Sequence, residues 1–289
     1  MDAFTIKDLE NLTGIKAHTI RIWEQRYSFI KPQRTNTNIR YYNSQELKRI
    51  LNVALLTKYG YKISHIDKMP EEEVKKNIFS LSTSEAQQER HINELIQCVV
   101  SLDMTKFENI LDNFIHSKGI DKTILQIIFP FLDRIGVLWM TSHIGPGEEH
   151  LMSNIIRQKL IVGIEGVGTN IYRKKTVLLF LPEGEYHELG LLYVAYLLKK
   201  NGAEILYMGA DVPVADLKAV CQIKKPDYLY SHTTCDFKLD KYFSHLHDSL
   251  PETELVVSGK NCHKFKIKHS KSVHVKKSLQ EVMEFVSSL

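Results

Sequence analysis

TVLLFLPEGEYHELG, residues 176–190, decides the fold of the second half of this chain. Thr176 to Leu181 is a short apolar run of strand length, the pattern of a strand buried on both faces. Pro182 and Gly184 mark a turn, and a helix is expected from about Glu188. His187 therefore falls in the loop that leaves the carboxyl end of a first strand. In open α/β sheets that edge is where ligands bind. A histidine there, with Glu185 before it and Gly190 after it, suits a metal ligand, because neutral imidazole is a common transition-metal donor. A carboxylate on its other nitrogen would orient the ring and raise its basicity. Gly190 would leave room for a bulky ligand to approach the backbone. Taken alone, E-x-H-x-x-G is also explained by a surface histidine at a helix start.

The pattern continues outward from this stretch. Strands are expected at Thr176–Leu181, Glu204–Met208, Tyr228–Ser231, Glu254–Ser258 and Val273–Val275. Helices are expected near 188–200, 214–222, 238–249 and 278–288. Strands alternating with helices make a doubly wound parallel sheet, here flavodoxin-like with order 2-1-3-4-5. That order brings Ser231 and Thr233, after the third strand, and Ser258 and Gly259, after the fourth, to the same edge as His187.

The first half is helical. Residues 4–12 and 17–27 have helix-turn-helix spacing around Thr13 and Gly14. Residues 30–42 suit a β-hairpin wing, and 44–58 a further helix with Ser44 as N-cap. Residues 69–83 read as a hinge, part helical. From Ser84 to about Val167 the pattern is a four-helix bundle with breaks near 117–119 and 142–147. The expected domains are 1–70, a linker 71–83, a bundle 84–170 and a sheet domain 171–289. The fold class is thus multidomain, α followed by α/β.

Charge is unevenly placed. Residues 1–70 hold 12 Lys or Arg against 6 Asp or Glu, while the whole chain has a net charge of only +4. A basic end suggests a polyanionic partner. Lys16, His18, Thr19 and Arg21 would lie on the open face of the second helix, with Ile20 and Trp23 inward. Arginine and threonine there can meet base edges and phosphates. Arg34, Arg40 and Tyr41 in the wing offer phosphate donors. Hydrophobic content of 43% and charged content of 25% are those of a globular protein. No uninterrupted apolar run reaches about 18 residues and no signal peptide is visible, so no membrane partner is expected. Cys98, Cys221, Cys235 and Cys262 show no repeated spacing, which favours a reducing cytoplasm over a disulfide framework.

Three blocks, TIRIWEQRY (19–27), PQRTNTNIRYYN (32–43) and LLTKYGYKI (55–63), resemble the winged-helix domain of the MerR family of transcription regulators. The resemblance covers residues 3–68. It implies a homo-oligomer, dimer or tetramer, on a pseudo-palindromic double-stranded promoter, with a C-terminal sensor.

The sensor end carries a second resemblance. E-x-H-x-x-G at 185–190, Ser-x-Thr at 231–233 and Gly259 are similar in type and spacing to the cobalamin-binding domain. That resemblance implies cobalamin, with His187 as lower cobalt ligand and Glu185 as its partner. It implies that Gly190, Ser231, Thr233 and Gly259 accommodate the displaced tail of the cofactor. Trp139 followed by Glu149 and His150 resembles the cap of light-responsive, cobalamin-dependent MerR repressors of carotenoid genes. There these residues surround an upper adenosyl group, so adenosylcobalamin is the expected form. An upper ligand under Trp139, Glu149 and His150 would fix the bundle against the sheet domain and so set the oligomeric state.

Two positions depart from these patterns. Lys260 stands where a second glycine is usual. Met140 stands where such repressors carry a histidine that captures cobalt after light, and a thioether is a poor substitute on Co(III). His143 is a further ligand to weigh. Zinc at His232 with Cys235, or at Cys262 with His263, lacks the spacing of a closed tetrahedral site. No Ser–His–acid triad or phosphate-cradling glycine loop is present, so no enzyme activity is expected. The sequence reads as a cytoplasmic, cobalamin-sensing repressor. A regulator of this architecture without cobalamin, or a corrinoid methyl carrier, is the alternative.

Overall fold

A computed structural model describes residues 3–141, 143–168, 175–234, 239–259, 262 and 272–289. The chain divides into two compact units, Met1–Ile155 and Ile156–Leu289.

In the first unit α1 (Ile6–Thr13) opens with a capping box, in which Thr5 and Asp8 satisfy each other's backbone N–H groups. Gly14 in the left-handed region closes it. α2 (Ala17–Arg26) buries Ile20 and Trp23, as its period requires. The wing is an antiparallel pair, β1 (Gln33–Arg34) and β2 (Arg40–Tyr41), turning through Asn38 at positive φ. α3 (Ser44–Lys58) starts one residue earlier than expected in its capping. The N-cap is Asn43, not Ser44, because Asn43 and Glu46 form a reciprocal box. After α4 (Ile63–Ile66), the expected hinge contains a regular helix, α5 (Glu71–Ser80), with three glutamates in its first turn complementing the helix dipole.

The helices α6 (Ser84–Val100) and α7 (Met104–Lys118) are separate. The sequence reading missed their break, which is set by Leu102 at positive φ and by Asp103 capping the Lys106 N–H. From Ile120 to Met140 the chain is one helical run. It comprises α8 (Ile120–Thr123), a π-helical turn (Ile124–Ile128) and α9 (Phe129–Met140). The wide turn lies just before Pro130, whose ring and missing N–H a regular α-helix would not accommodate. By length and composition alone this run is apolar enough to cross a membrane. Its stripe of Ile124, Ile127, Ile128, Phe131, Ile135 and Leu138 is instead buried within the protein. α10 (Pro146–Gly166) follows, its residues from Ile156 on belonging to the second unit.

The second unit is a parallel sheet. Its strands are β3 (Thr176–Pro182), β4 (Glu204–Val212), β5 (Tyr228–His232), β6 (Glu254–Ser258) and β7 (Val273–Lys276). The observed order is β4-β3-β5-β6-β7, the expected 2-1-3-4-5. The crossover helices are α11 (Leu189–Lys200), α12 (Val214–Lys224) and α13 (Leu239–Ser249), and α14 (Leu279–Ser288) follows β7. One core layer joins Leu178, Phe180, Leu229 and Val257 to Leu217, Phe243 and Leu246. The helix α11 is apolar nearly all round, and Leu191 to Leu198 is buried without interruption.

β3 and β5 pair directly, Phe180 opposite Ser231, so the loops that leave them emerge side by side. β6 joins the same edge through the Thr233 N–H, which donates to the Ser258 carbonyl at 2.9 Å. Gly259 sits there at φ +119, and a Cβ on it would collide with the Thr233 carbonyl oxygen. Gly259→Ala is therefore expected to cost roughly 1–3 kcal/mol in backbone strain, with the lost contact in addition. A thermal melt followed by far-UV circular dichroism should show a lower midpoint. An unchanged midpoint would contradict the close backbone approach.

Candidate functional site

Glu185 is the centre of the sheet-edge cluster. It is only 3% exposed, and its Oε1 lies 2.6 Å from His187 Nδ1 and accepts the His187 backbone N–H at 3.0 Å. Its Oε2 accepts the Thr234 N–H at 3.1 Å, with the Thr234 hydroxyl at 3.4 Å. The carboxylate thus bridges the loop after β3 and the end of β5. Its own backbone is pinned as well, donating to the Pro182 carbonyl and accepting from the Asp211 N–H. With Nδ1 turned to a carboxylate, the imidazole keeps its proton there and presents Nε2 as the metal-ligating nitrogen. The His187 side chain is 61% exposed while its partner is buried, so the ring stands outward on a fixed base.

Ser231 and Thr233 are fully buried, and among the described residues neither Ser231 Oγ nor Thr233 Oγ1 has a hydrogen-bond partner. Buried hydroxyls are normally paired, and leaving one unmade costs free energy. Two such hydroxyls beside the Glu185 loop fit a polar group that this edge is shaped to receive. Gly190 opens α11, and the room left by its missing side chain is taken by the His232 ring. His232 Nδ1 lies 2.9 Å from Ser258 Oγ, which also accepts the Tyr230 hydroxyl at 2.7 Å. Burial pushes the His232 imidazole down to about 4, with Glu185 pulling weakly the other way. Sequence reasoning missed the roles of Thr234 and Glu188 and weighed His232 only as a zinc position. Glu188 pairs with Arg157 at 2.5 Å and accepts the Tyr207 hydroxyl at 3.2 Å. No spacing pattern announced these contacts.

In the first unit Trp139 and Met140 end α9, with Met140 71% exposed. Glu149 and His150 lie near the start of α10, with Glu149 Oε2 2.9 Å from His150 Nδ1. The hairpin topology puts these at one end of the α9–α10 pair. His143 does not stand beside them as a spare metal ligand. Its Nε2 donates to the Ala3 carbonyl at 2.8 Å, and its ring stacks on Phe4.

On the DNA-reading face Lys16, His18 and Arg21 are exposed and Thr19 half-buried, as the helix period requires. Arg34 is exposed and bonds Asn38 across the wing turn. Arg40 is not a free phosphate donor: its Nε is paired with Glu24 on α2 at 3.1 Å, and Tyr41 beside it is half-buried. Of the weighed zinc positions, Cys235 and His263 lie outside the described residues, as does Lys260. Cys262 is buried and donates to the Lys276 carbonyl. Among the described residues no three His, Cys, Asp or Glu side chains converge.

The His232 environment predicts a pH response. The folded imidazole resists protonation while the unfolded one accepts a proton near 6.5, so the unfolded state binds more protons on acidification. This group's contribution should be flat above pH 6.5, become destabilising below it and level off near 4. His232→Gln should flatten that stretch of a stability-versus-pH curve measured by urea unfolding. An identical curve would refute the assignment.

Comparison with known proteins agrees with the reading of the N-terminal domain and reaches into the helical segment that follows it. Residues 4–73 match the MerR HTH family regulatory protein model, and residues 91–162 a B12 binding domain. The HTH-type transcriptional repressor CarH of Myxococcus xanthus is 25% identical over 232 residues, 78% of this chain and 77% of CarH. The repressor CarA of the same organism is 28% identical over 224 residues, 77% of this chain and 73% of CarA. The monomethylamine corrinoid protein of Methanosarcina barkeri superposes with a TM-score of 0.55 at 14% identity, over 70% of this chain and 99% of that one, a likeness of fold. This chain therefore combines a MerR helix-turn-helix domain with a B12-binding domain and is homologous, over most of its length, to the CarH and CarA repressors.

Proposed function

We propose that this chain is a cytoplasmic transcriptional repressor, not an enzyme, that binds double-stranded promoter DNA as a homo-oligomer and uses cobalamin as its sensory ligand. The observation that carries the reading is the buried Glu185 fixing the exposed His187 ring. In this reading His187 would ligate the cobalt and Glu185 would orient its ring. Ser231 and Thr233 would supply hydroxyls to the cofactor's tail, and Gly190 and Gly259 would shape its pocket by admitting the His232 ring and the Thr233 backbone. Trp139, Glu149 and His150 would contact the adenosyl group, the form that the resemblance implies. Bound cobalamin supplies a cobalt–carbon bond that light can break. Lys16, His18, Thr19, Arg21, Arg34 and Tyr41 contact the DNA, and Arg40 holds the wing against α2. The working modules are the reader (1–70), the cap (84–170) and the cobalamin domain (171–289).

Met140 favours a second reading in which corrinoid occupancy, rather than light, is the signal. One preparation separates the two. The protein is loaded with adenosylcobalamin in the dark, and its absorption spectrum and DNA affinity are recorded before and after green light. Retained corrinoid with lower DNA affinity after light supports the light sensor. Retained corrinoid with unchanged affinity selects the second reading. No retained corrinoid overturns both.

Two substitutions test the site. His187→Ala should shift the cobalt absorption bands, and an unaltered spectrum would remove His187 as ligand. Glu185→Gln should weaken corrinoid binding by roughly 10–100-fold, the usual effect of losing a ligand-orienting partner. Equilibrium dialysis with adenosylcobalamin measures it.

A further inference from the structure

The loop that follows Trp139 and Met140 does not end in solvent. The His143 and Ile144 N–H groups both turn back to the Leu138 carbonyl, which fixes the loop to the end of α9. From there the His143 side chain, 11% exposed, reaches the DNA-reading domain. Its ring stacks on Phe4 at 5.1 Å with 14° between the planes. Its Nε2 donates to the Ala3 carbonyl at 2.8 Å and lies 3.4 Å from the Asp8 carboxylate. Its Nδ1 is 2.9 Å from the Thr141 hydroxyl. Asp8 is the capping-box residue of α1, so the imidazole is seated on the first turn of the reader.

The contacts continue to the DNA-reading face. Phe4 is bridged to Tyr42 by two backbone hydrogen bonds, of 2.7 and 2.9 Å. The Tyr42 hydroxyl donates to Glu24 of α2, the helix that faces DNA, and Glu24 also holds Arg40 of the wing. A second connection runs from the same sensor helix. Arg134 of α9 meets Glu89 of α6 at 3.4 Å, and Glu89 pairs with Lys58 at the end of α3 at 2.6 Å.

We infer that His143 is a clasp, a positioning residue that ties the Trp139 end of the sensor helix to α1 and through Phe4 and Tyr42 to the recognition helix and wing. A ring held by a stack and a directed N–H bond transmits orientation as well as proximity. A displacement of the α9 end therefore reaches the DNA-reading face through two intervening residues, Phe4 and Tyr42. The clasp stands on geometry alone; its use as a signal path rests on the cobalamin reading above.

The full chain tests both. Hydrogen–deuterium exchange on the ligand-free protein should show His143→Ala exchanging at least about tenfold faster over Ile6–Thr13, with the β3–β7 sheet unchanged. Unaltered α1 exchange overturns the clasp. His143→Gln, which restores an N–H toward Ala3, should recover most of the protection, and failure to recover any would remove the directed bond from the proposal.

The signal path is read with a duplex selected in vitro by the wild-type protein. Its affinity is measured with and without adenosylcobalamin. His143→Ala should retain the bound-corrinoid spectrum yet bring the two affinities to within about twofold of each other. An undiminished ratio in the variant overturns the path. A wild-type protein that retains no corrinoid sinks the cobalamin reading instead, and the exchange experiment then decides the clasp by itself.

Discussion

A carboxylate taken out of water must be met by donors on every side that water served. Glu185 meets that demand with the backbone and side chain of His187 on one oxygen and the backbone and hydroxyl of Thr234 on the other. The constraint runs both ways. The sheet must pair β3 with β5 for the two loops to supply these donors, and the loops must stay put for the carboxylate to stay buried. The outward stance of His187 depends on that arrangement, and Thr233, next to Thr234, is seated against Gly259 at the same edge. A histidine held in this way is preorganised: the ring pays its ordering entropy on folding rather than on binding.

Much of this was legible in the residues. Apolar runs of strand length alternating with amphipathic or apolar helices placed the elements of the sheet unit within a residue or two, except that the second strand runs on to Val212, four residues past the expected Met208. The parallel pairing followed from the crossover connections, and the order 2-1-3-4-5 from the flavodoxin-like class they suggest. The position of His187 at the carboxyl edge needed only that order. What was not legible is the set of contacts between segments distant in sequence. Thr234 grips Glu185, His232 fills the room at Gly190 and Arg40 is drawn to Glu24. Periodicity reports which face is buried, not which partner meets it there. The break between α6 and α7 was invisible for a different reason. It depends on Leu102 adopting a left-handed backbone, which no composition rule assigns to leucine.

The helical unit shows how local chemistry and long-range contact share the work. α1 and α3 each carry a complete capping box, so their starting points are set by their own sequence. The run from Ile120 to Met140 is different. Its propensity is strong but Pro130 interrupts it, and the π-helical turn before the proline absorbs the defect without ending the helix. The apolar stripe continues across that turn, which keeps Phe131, Ile135 and Leu138 in the core and leaves Trp139 at the helix end.

The last strand of the sheet has a consequence for life at high concentration. β7 lies at the open side of the order, where unpaired backbone groups invite another chain to add a strand. His274, Lys276 and Lys277 lie in and just after it, and the Lys276 ammonium sits over the Phe285 ring at 5.6 Å. An incoming strand would have to bury the lysine ammonium groups against its own backbone. The lysines at this end of β7 thus guard the sheet against edge-to-edge aggregation.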